Sequence, residues 1–421
     1  VAIGLSCYGR SRPNHFGKWT GTGGPQFMHA YQGNTRIGPW YKIEIVMVRV
    51  DKAFEAFVHS GADFFTGVPD SLLKDICAYI TDNAAENKHI IAANEGAAVG
   101  IAAGYHMATG KVPVVYMQNS GLGNTVNPLM SLADEKVYGL PVLLMIGWRG
   151  EPGTKDEPQH LKQGAVTLDL LDAMQIPYLI LDDDESVALR QISAIVEQTG
   201  AADKPHAIII RKGLFGKYEL KKKDRNDNPL SREEALKIVV DNLGSDDVVV
   251  STTGKLSREL FEYRETKAQG HERDFLTVGS MGYSSSIALG IALANNRQQV
   301  YCLDGDGAFI MHLGALTNIG NTAPANFKHI LFNNGAHESV GGQPTLGFAI
   351  DVKSIVKACG YKTAITAITR DEIADAMHRL SSGEGPALLE IRVKIQSRDD
   401  LGRPTTTPTE NKIHFMNHLK K

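Results

Sequence analysis

Two apolar runs in the second half of the chain end in residues with hard oxygen donors. The stretch CLDGDGAFIMHLGALTNIGNTAPANFKHILFNNGAHES, Cys302 to Ser339, opens on a run ending in Gly305-Asp306-Gly307 and closes on one ending in Asn333-Asn334-Gly335. A carboxylate at Asp306 and an amide oxygen at Asn334 suit Mg²⁺, which prefers oxygen and is commonly held by one or two protein groups together with phosphate oxygens. A Gly-Asp-Gly after a strand is by itself an ordinary βα turn. The distal Asn-Asn pair distinguishes this one. Nucleotide-binding alternatives fail on spacing: a dinucleotide fingerprint needs a third glycine where the chain has Ile310, and GLGNTV ends in Val126. TTGKLS, 252 to 257, lacks the upstream glycine and the hydroxyl after lysine of a Walker A loop.

The elements that must position these residues are legible as short apolar runs. ADFFTGVP, KHIIAAN, KVPVVYMQN, LPVLLMIGW, IPYLILD and HAIIIRKG alternate with helical stretches; after the polar segment YELKKKDRNDNP the rhythm restarts with DVVVSTTG, DFLTVGS, QVYCLDGDG, HILFNNG, TAITAIT and ALLEIRV. Such runs, bounded by turn signals and separated by helices, predict parallel sheets covered on both faces. The expected fold class is α/β, with two doubly wound parallel-sheet domains at 45 to 213 and 231 to 396, joined by a linker at 214 to 230 and followed by a tail at 397 to 421. Ligands of open α/β sheets collect at the carboxyl ends of the strands. NEG, QNSG, TTGK, GSMG, GDG and NNG all fall there.

Composition narrows the class. A net charge of −3 offers no footprint for nucleic acid. Apolar runs such as 140 to 148 are too short for a membrane span of about 20 residues. The four cysteines, Cys7, Cys77, Cys302 and Cys359, are scattered, which suits a reducing compartment rather than a zinc or disulfide framework. Residues 1 to 44 form an atypical leader, Gly-rich and basic, with its first acid at Glu44; a transit peptide and a non-native leader are both expected readings.

The GDG…NN pair closely resembles the diphosphate-binding motif of thiamine diphosphate enzymes. That resemblance implies roles for further residues. Glu95, opening the helix after KHIIA, is implied as the glutamate that hydrogen-bonds N1′ of the aminopyrimidine and so promotes proton loss from the thiazolium. Met281, between Gly279 and Gly282, is implied as the apolar wedge under the bent cofactor, with the Gly279 carbonyl accepting from its 4′-amino group. Asp306, Asn334 and the Ala336 carbonyl would bind Mg²⁺. Gly305, Gly307 and the Ala308 amide would cradle the diphosphate, with Thr253 and Gly254 at its other phosphate.

The resemblance covers 45 to 421 and has the short form without a middle domain. FFTGVPDS, NEGAAVGIAAGYHMATGK, DEPQH, NNGAHESVGGQPT and DLGRPTTTPTENK are similar to the phosphonopyruvate decarboxylase branch of the 2-oxo acid decarboxylases. This implies decarboxylation of 3-phosphonopyruvate to phosphonoacetaldehyde through the cofactor's ylide and enamine, in phosphonate biosynthesis. It also implies a cytoplasmic location and a homodimer or larger homo-oligomer with active sites between subunits. Sulfopyruvate decarboxylase and an acetolactate-type carboligase are the rival activities, and an inactive cofactor-binding subunit is the rival class. His160 and His337 are candidate proton shuttles, because imidazole titrates near neutral pH. Arg149, Lys255, Arg398 and Arg403 are candidate donors to the phosphonate. Asp70 and Ser71 are expected to cap the helix LLKDICAYI, with substrate contact as a second role. The tail from Ser397 reads as a poor helix and a candidate lid.

Overall fold

The computed structural model describes residues 47–222 and 226–420; the leader at 1 to 44 lies outside the described residues. Two six-stranded parallel sheets form the frame. The first contains β1 (Phe64–Gly67), β2 (His89–Ile91), β3 (Pro113–Gln118), β4 (Leu143–Gly147), β5 (Tyr178–Ile180) and β6 (His206–Ile210), in the order β2-β1-β3-β4-β6-β5. The second contains β7 (Val248–Ser251), β8 (Asp274–Leu276), β9 (Val300–Gly305), β10 (Phe327–Asn333), β11 (Thr363–Ala367) and β12 (Ala387–Arg392), in the order β11-β12-β10-β9-β7-β8. Read from the opposite edge, the second order is the same as the first. The two doubly wound sheets expected from the apolar runs are present, without a middle domain between them.

The strands form as unbroken apolar runs because both faces of each sheet are covered. Along β3, Val114 and Tyr116 enter one core while Val115 and Met117 enter the other. Along β9, Tyr301 and Leu303 face one core, and Val300 and Cys302 the opposite one. This alternation fixes the register and leaves the carboxyl ends of the central strands as the place where side chains are freed from packing.

Two expectations are corrected. Leu214 and Phe215, assigned to the linker, are buried in the first core. The tail contains a helix, Pro408–Leu419, which packs against β8 through buried Phe415 and Asn411. Thr407 and Glu410 form a capping box at its start, and Pro408 takes the first helical position, where a missing N–H costs nothing. Pro408 thus starts a helix that Pro404 and Pro408 were expected to prevent. Asn411 accepts from the Leu276 amide at 3.1 Å and donates to the Asp274 carbonyl at 2.8 Å, tying the tail to β8.

Candidate active site

β2 delivers the first functional side chain. Asn94, extended, accepts from the Ala97 amide at 2.8 Å and caps the helix Glu95–Thr109, which places Glu95 in the first turn, where the helix dipole favours a carboxylate. Glu95 is 6% exposed. Its Oε2 accepts from Asn124 Nδ2 at 2.7 Å. Gly121 presses on it so closely that a Cβ there would lie 2.5 Å from Oε1, so the carboxylate is gripped between an amide and bare backbone. Asn94 Nδ2 also donates to the Met311 carbonyl at 3.3 Å, across to the second half.

In the second half, β9 ends at Gly305, and Asp306 opens the short helix Asp306–Met311. Asp306 is 5% exposed, accepts from the Thr345 hydroxyl, and has no ion-pair partner among the described residues. Burial pushes its pKa up to about 6, against the opposing pull of Thr345 and the amides of Gly307 and Gly335. A buried carboxylate without a cation is costly, which makes this a fit place for one. Asn334, at the end of β10, is equally buried. Its Nδ2 donates to Glu338 at 3.2 Å, which fixes the amide orientation, and its Oδ1 accepts from the Ala336 amide at 3.0 Å. Glu338 is held in turn by Arg232 at 3.1 Å, and Arg232 grips Glu259 with two bonds of 2.8 and 2.7 Å. Neighbouring Asn333 is structural: its amide nitrogen donates to the Gly347 carbonyl at 2.7 Å and to Glu390 at 2.8 Å.

Gly307 is where three motifs converge. A Cβ on it would stand 3.1 Å from His337 Cε1 and 3.3 Å from Met281 Cε. Burial lowers the His337 pKa to about 4, and burial also lowers that of His160. Burial thus disfavours the charged form of both rings. Thr253 donates to the Val278 carbonyl at 2.9 Å, and Gly254, at φ +101°, caps the helix Lys255–Thr266 in a conformation that favours glycine. Ala308 is buried in the helix that Gly305 caps.

The two strand-end clusters face one another within the chain. Besides Asn94 and Met311, Gln159 Cβ lies 3.2 Å from where a Cβ of Gly279 would be, and Arg403 pairs with Glu157. His160, next to Gln159, keeps a buried Nδ1 with no partner.

The residues nominated for the phosphonate are mostly engaged elsewhere. Arg398 is held by Glu233, Glu262 and Asp400, so the structure does not aim it at the site; Arg403 is bound to Glu157, and Lys255 to the Ser397 hydroxyl. Arg149 Nε donates to Asp156 at 2.8 Å and its Nη1 to Ser71 at 2.8 Å. Asp70 caps no helix: it is fully buried, accepting from the Leu72 amide at 2.9 Å and from Gln118 at 2.5 Å, and the helix Lys74–Asn83 begins after Leu73 without a side-chain cap. Asp70, Ser71 and Arg149 do form one cluster, at the ends of β1 and β4. Sequence reasoning missed Thr345 and Glu338 as partners of Asp306 and Asn334. The only available signal was their place in NNGAHESVGGQPT.

Comparison with known proteins places this geometry. Residues 49–175 match the family description "Thiamine pyrophosphate enzyme, N-terminal TPP binding domain", and residues 252–391 match "Thiamine pyrophosphate enzyme, C-terminal TPP binding domain". Fold and site thus define a thiamine diphosphate enzyme with its two cofactor-binding domains in one chain. The chain is 33% identical over 365 residues to phosphonopyruvate decarboxylase of Streptomyces viridochromogenes, covering 83% of this chain and 89% of that protein. It is 26% identical over 367 residues to sulfopyruvate decarboxylase of Methanosarcina acetivorans, covering 82% and 91%. Among solved structures, benzoylformate decarboxylase from Polynucleobacter necessarius aligns at 12% identity and a TM-score of 0.37, over 83% of this chain and 99% of that one. The chain belongs to the thiamine diphosphate-dependent decarboxylases.

Proposed function

We propose that the chain decarboxylates 3-phosphonopyruvate to phosphonoacetaldehyde and CO₂, with thiamine diphosphate and Mg²⁺ bound between the ends of β2 and β9. The observation that carries the cofactor site is Asp306, a buried carboxylate with no ion-pair partner among the described residues, in the half that Asn94, next to Glu95, contacts through Met311. Asp306, Asn334 Oδ1 and the Ala336 carbonyl would hold the metal against the diphosphate, with Gly305, Gly307 and Ala308 offering backbone at a helix start. Thr253 and Gly254 would take the second phosphate. When bound, the cofactor supplies the electron sink that makes loss of CO₂ feasible.

The chain's own residues do the rest. Glu95, gripped by Asn124, holds or yields a proton at the aminopyrimidine N1′. Met281 and the Gly279 carbonyl would lie against the bound cofactor. The reaction breaks the bond between the substrate's carboxylate and its keto carbon and puts a proton in its place. His337 and His160 would be the candidates for carrying that proton. The cluster of Asp70, Ser71 and Arg149 offers the remaining polar contacts on the first half.

Sulfopyruvate is the second reading, supported by the resemblance to the Methanosarcina acetivorans enzyme; its sulfonate has the same tetrahedral shape. Phosphonopyruvate is favoured by the higher identity to the Streptomyces viridochromogenes enzyme. Assays of CO₂ release from both substrates, with and without thiamine diphosphate and Mg²⁺, test the proposal. Cofactor-dependent turnover of phosphonopyruvate at the higher kcat/KM supports it. Preference for sulfopyruvate replaces it with the second reading, and turnover of neither, or carboligation alone, rejects both.

A homo-oligomer forms part of the same proposal, with the β2 and β9 ends paired either within one chain, as they lie here, or across two subunits. Mixing Glu95→Gln with Asp306→Ala chains distinguishes the arrangements. Sites shared across subunits should regain about a quarter of wild-type activity after random reassembly into dimers. Sites confined to one chain should regain none.

A further inference from the structure

The loop after β10 folds back on itself as a short antiparallel pair. Ala336 bridges Pro344, the His337 amide donates to the Gln343 carbonyl at 2.8 Å, and the Thr345 amide donates to the Gly335 carbonyl at 2.9 Å. In such a pair, directly opposite residues and residues two apart along a strand share one face. His337, Gln343 and Thr345 therefore project together. The direction of that face is set at both ends: Thr345 donates to Asp306, and the His337 ring packs on Gly307 beside Met281. Gln343 lies between them on that face.

Gln343 is wholly buried, and neither its amide nitrogen nor its amide oxygen has a hydrogen-bond partner. A Cβ on Gly341 would lie 2.8 Å from both atoms, so the bare Gly341 backbone packs against that amide without supplying a hydrogen bond. Buried polar groups are nearly always satisfied, and an unmade hydrogen bond costs about 1–3 kcal/mol. An amide held between the partners of Asp306 and Gly307 is placed to meet whatever anion those residues receive.

We propose that Gln343 is a ligand-binding residue whose side-chain N–H donates to an anionic oxygen at the Asp306 turn, on the cofactor's diphosphate or on the substrate's tetrahedral anion. This rests on the reading of the site given above. Nothing else in the described structure competes for that N–H.

Gln343→Met tests it, since methionine keeps the length and removes both polar atoms. Calorimetric titration with thiamine diphosphate and Mg²⁺ reads the cofactor arm; KM for phosphonopyruvate and sulfopyruvate reads the substrate arm. A loss of about tenfold or more is expected in one arm, and the arm that moves identifies the anion. The ligand-free variant should melt at or above the wild-type temperature, because no protein hydrogen bond is lost. Unchanged cofactor affinity and unchanged KM in the folded variant would overturn the proposal. So would a lower ligand-free melting temperature with both affinities intact, which makes Gln343 a packing residue. Asp306→Ala separates the two levels: if it keeps wild-type cofactor affinity, the site reading fails and takes Gln343 with it; if it loses affinity while Gln343→Met does not, only the role of Gln343 falls.

Discussion

The two halves share a strand order and differ at their strand ends. By topology, the turn after β3, Gln118-Asn119-Ser120-Gly121, occupies the place that Gly305-Asp306-Gly307 takes after β9, and Arg149 after β4 corresponds to Asn334 after β10. In the first half these ends close on themselves. Gln118 donates to Asp70, Asn119 donates to the Arg149 carbonyl at 2.8 Å and to Thr167 at 2.9 Å, and Arg149 is neutralised by Asp156. In the second half the equivalent ends are short of positive charge: among the described residues Asp306 has a hydroxyl and amides but no cationic side chain, and the Gln343 amide has no partner. One scaffold thus carries two kinds of end, one whose polar groups satisfy one another and one whose buried carboxylate and amide lack such partners among the described residues. Function resides in what is grafted on the strand ends, not in the sheet.

Under the proposed function, proton chemistry falls to the first half and binding to the second. Glu95→Gln keeps one hydrogen bond to N1′ but cannot exchange its proton, so kcat should fall by about 100-fold or more with cofactor affinity little changed. Steady-state kinetics that show a loss only in cofactor affinity would move Glu95 to the binding side.

Asp306→Asn sharpens the electrostatic side of the contrast. The carboxyl's pKa is raised by burial to about 6, so below pH 4 it is protonated in the folded and unfolded chain alike and costs nothing. As pH rises through this window the unfolded chain releases its proton first. Above pH 6 the folded, metal-free chain must hold a buried charge at a cost of about 3 kcal/mol. Stability of the metal-free protein should therefore fall from pH 4 to 7 more steeply in the wild type than in Asp306→Asn. Parallel denaturation profiles would remove the electrostatic argument for a cation.

The smallest expected effect is at Glu338. Glu338→Ala frees the Asn334 amide to flip and should weaken Mg²⁺ affinity about tenfold, whereas Glu338→Gln keeps an acceptor and should restore most of it. Equal affinities in all three proteins, measured by metal titration, would show that the Ala336 amide alone orients Asn334.

Much of this contrast was legible before the fold. All twelve strands appear as apolar runs because sheets covered on both faces leave no polar alternation to obscure them. Glu95, Asp306 and Asn334 could be nominated because each sits where a strand gives way to a turn. Thr345 was not, because it reaches Asp306 from 39 residues away through a loop with no periodic pattern. Arg398 misled because its partners Glu233 and Glu262 lie 165 and 136 residues distant, and a free guanidinium cannot be told from an occupied one by composition. The tail helix was missed because its prolines outweighed the Thr407-Glu410 capping box that begins it.

The division between the halves is tested most directly by one calorimetric titration of thiamine diphosphate with Mg²⁺ into Glu95→Gln and Asp306→Ala chains side by side. The expected result is near wild-type binding by Glu95→Gln and no metal-dependent binding by folded Asp306→Ala. Wild-type affinity in Asp306→Ala, or equal loss in both, would contradict it.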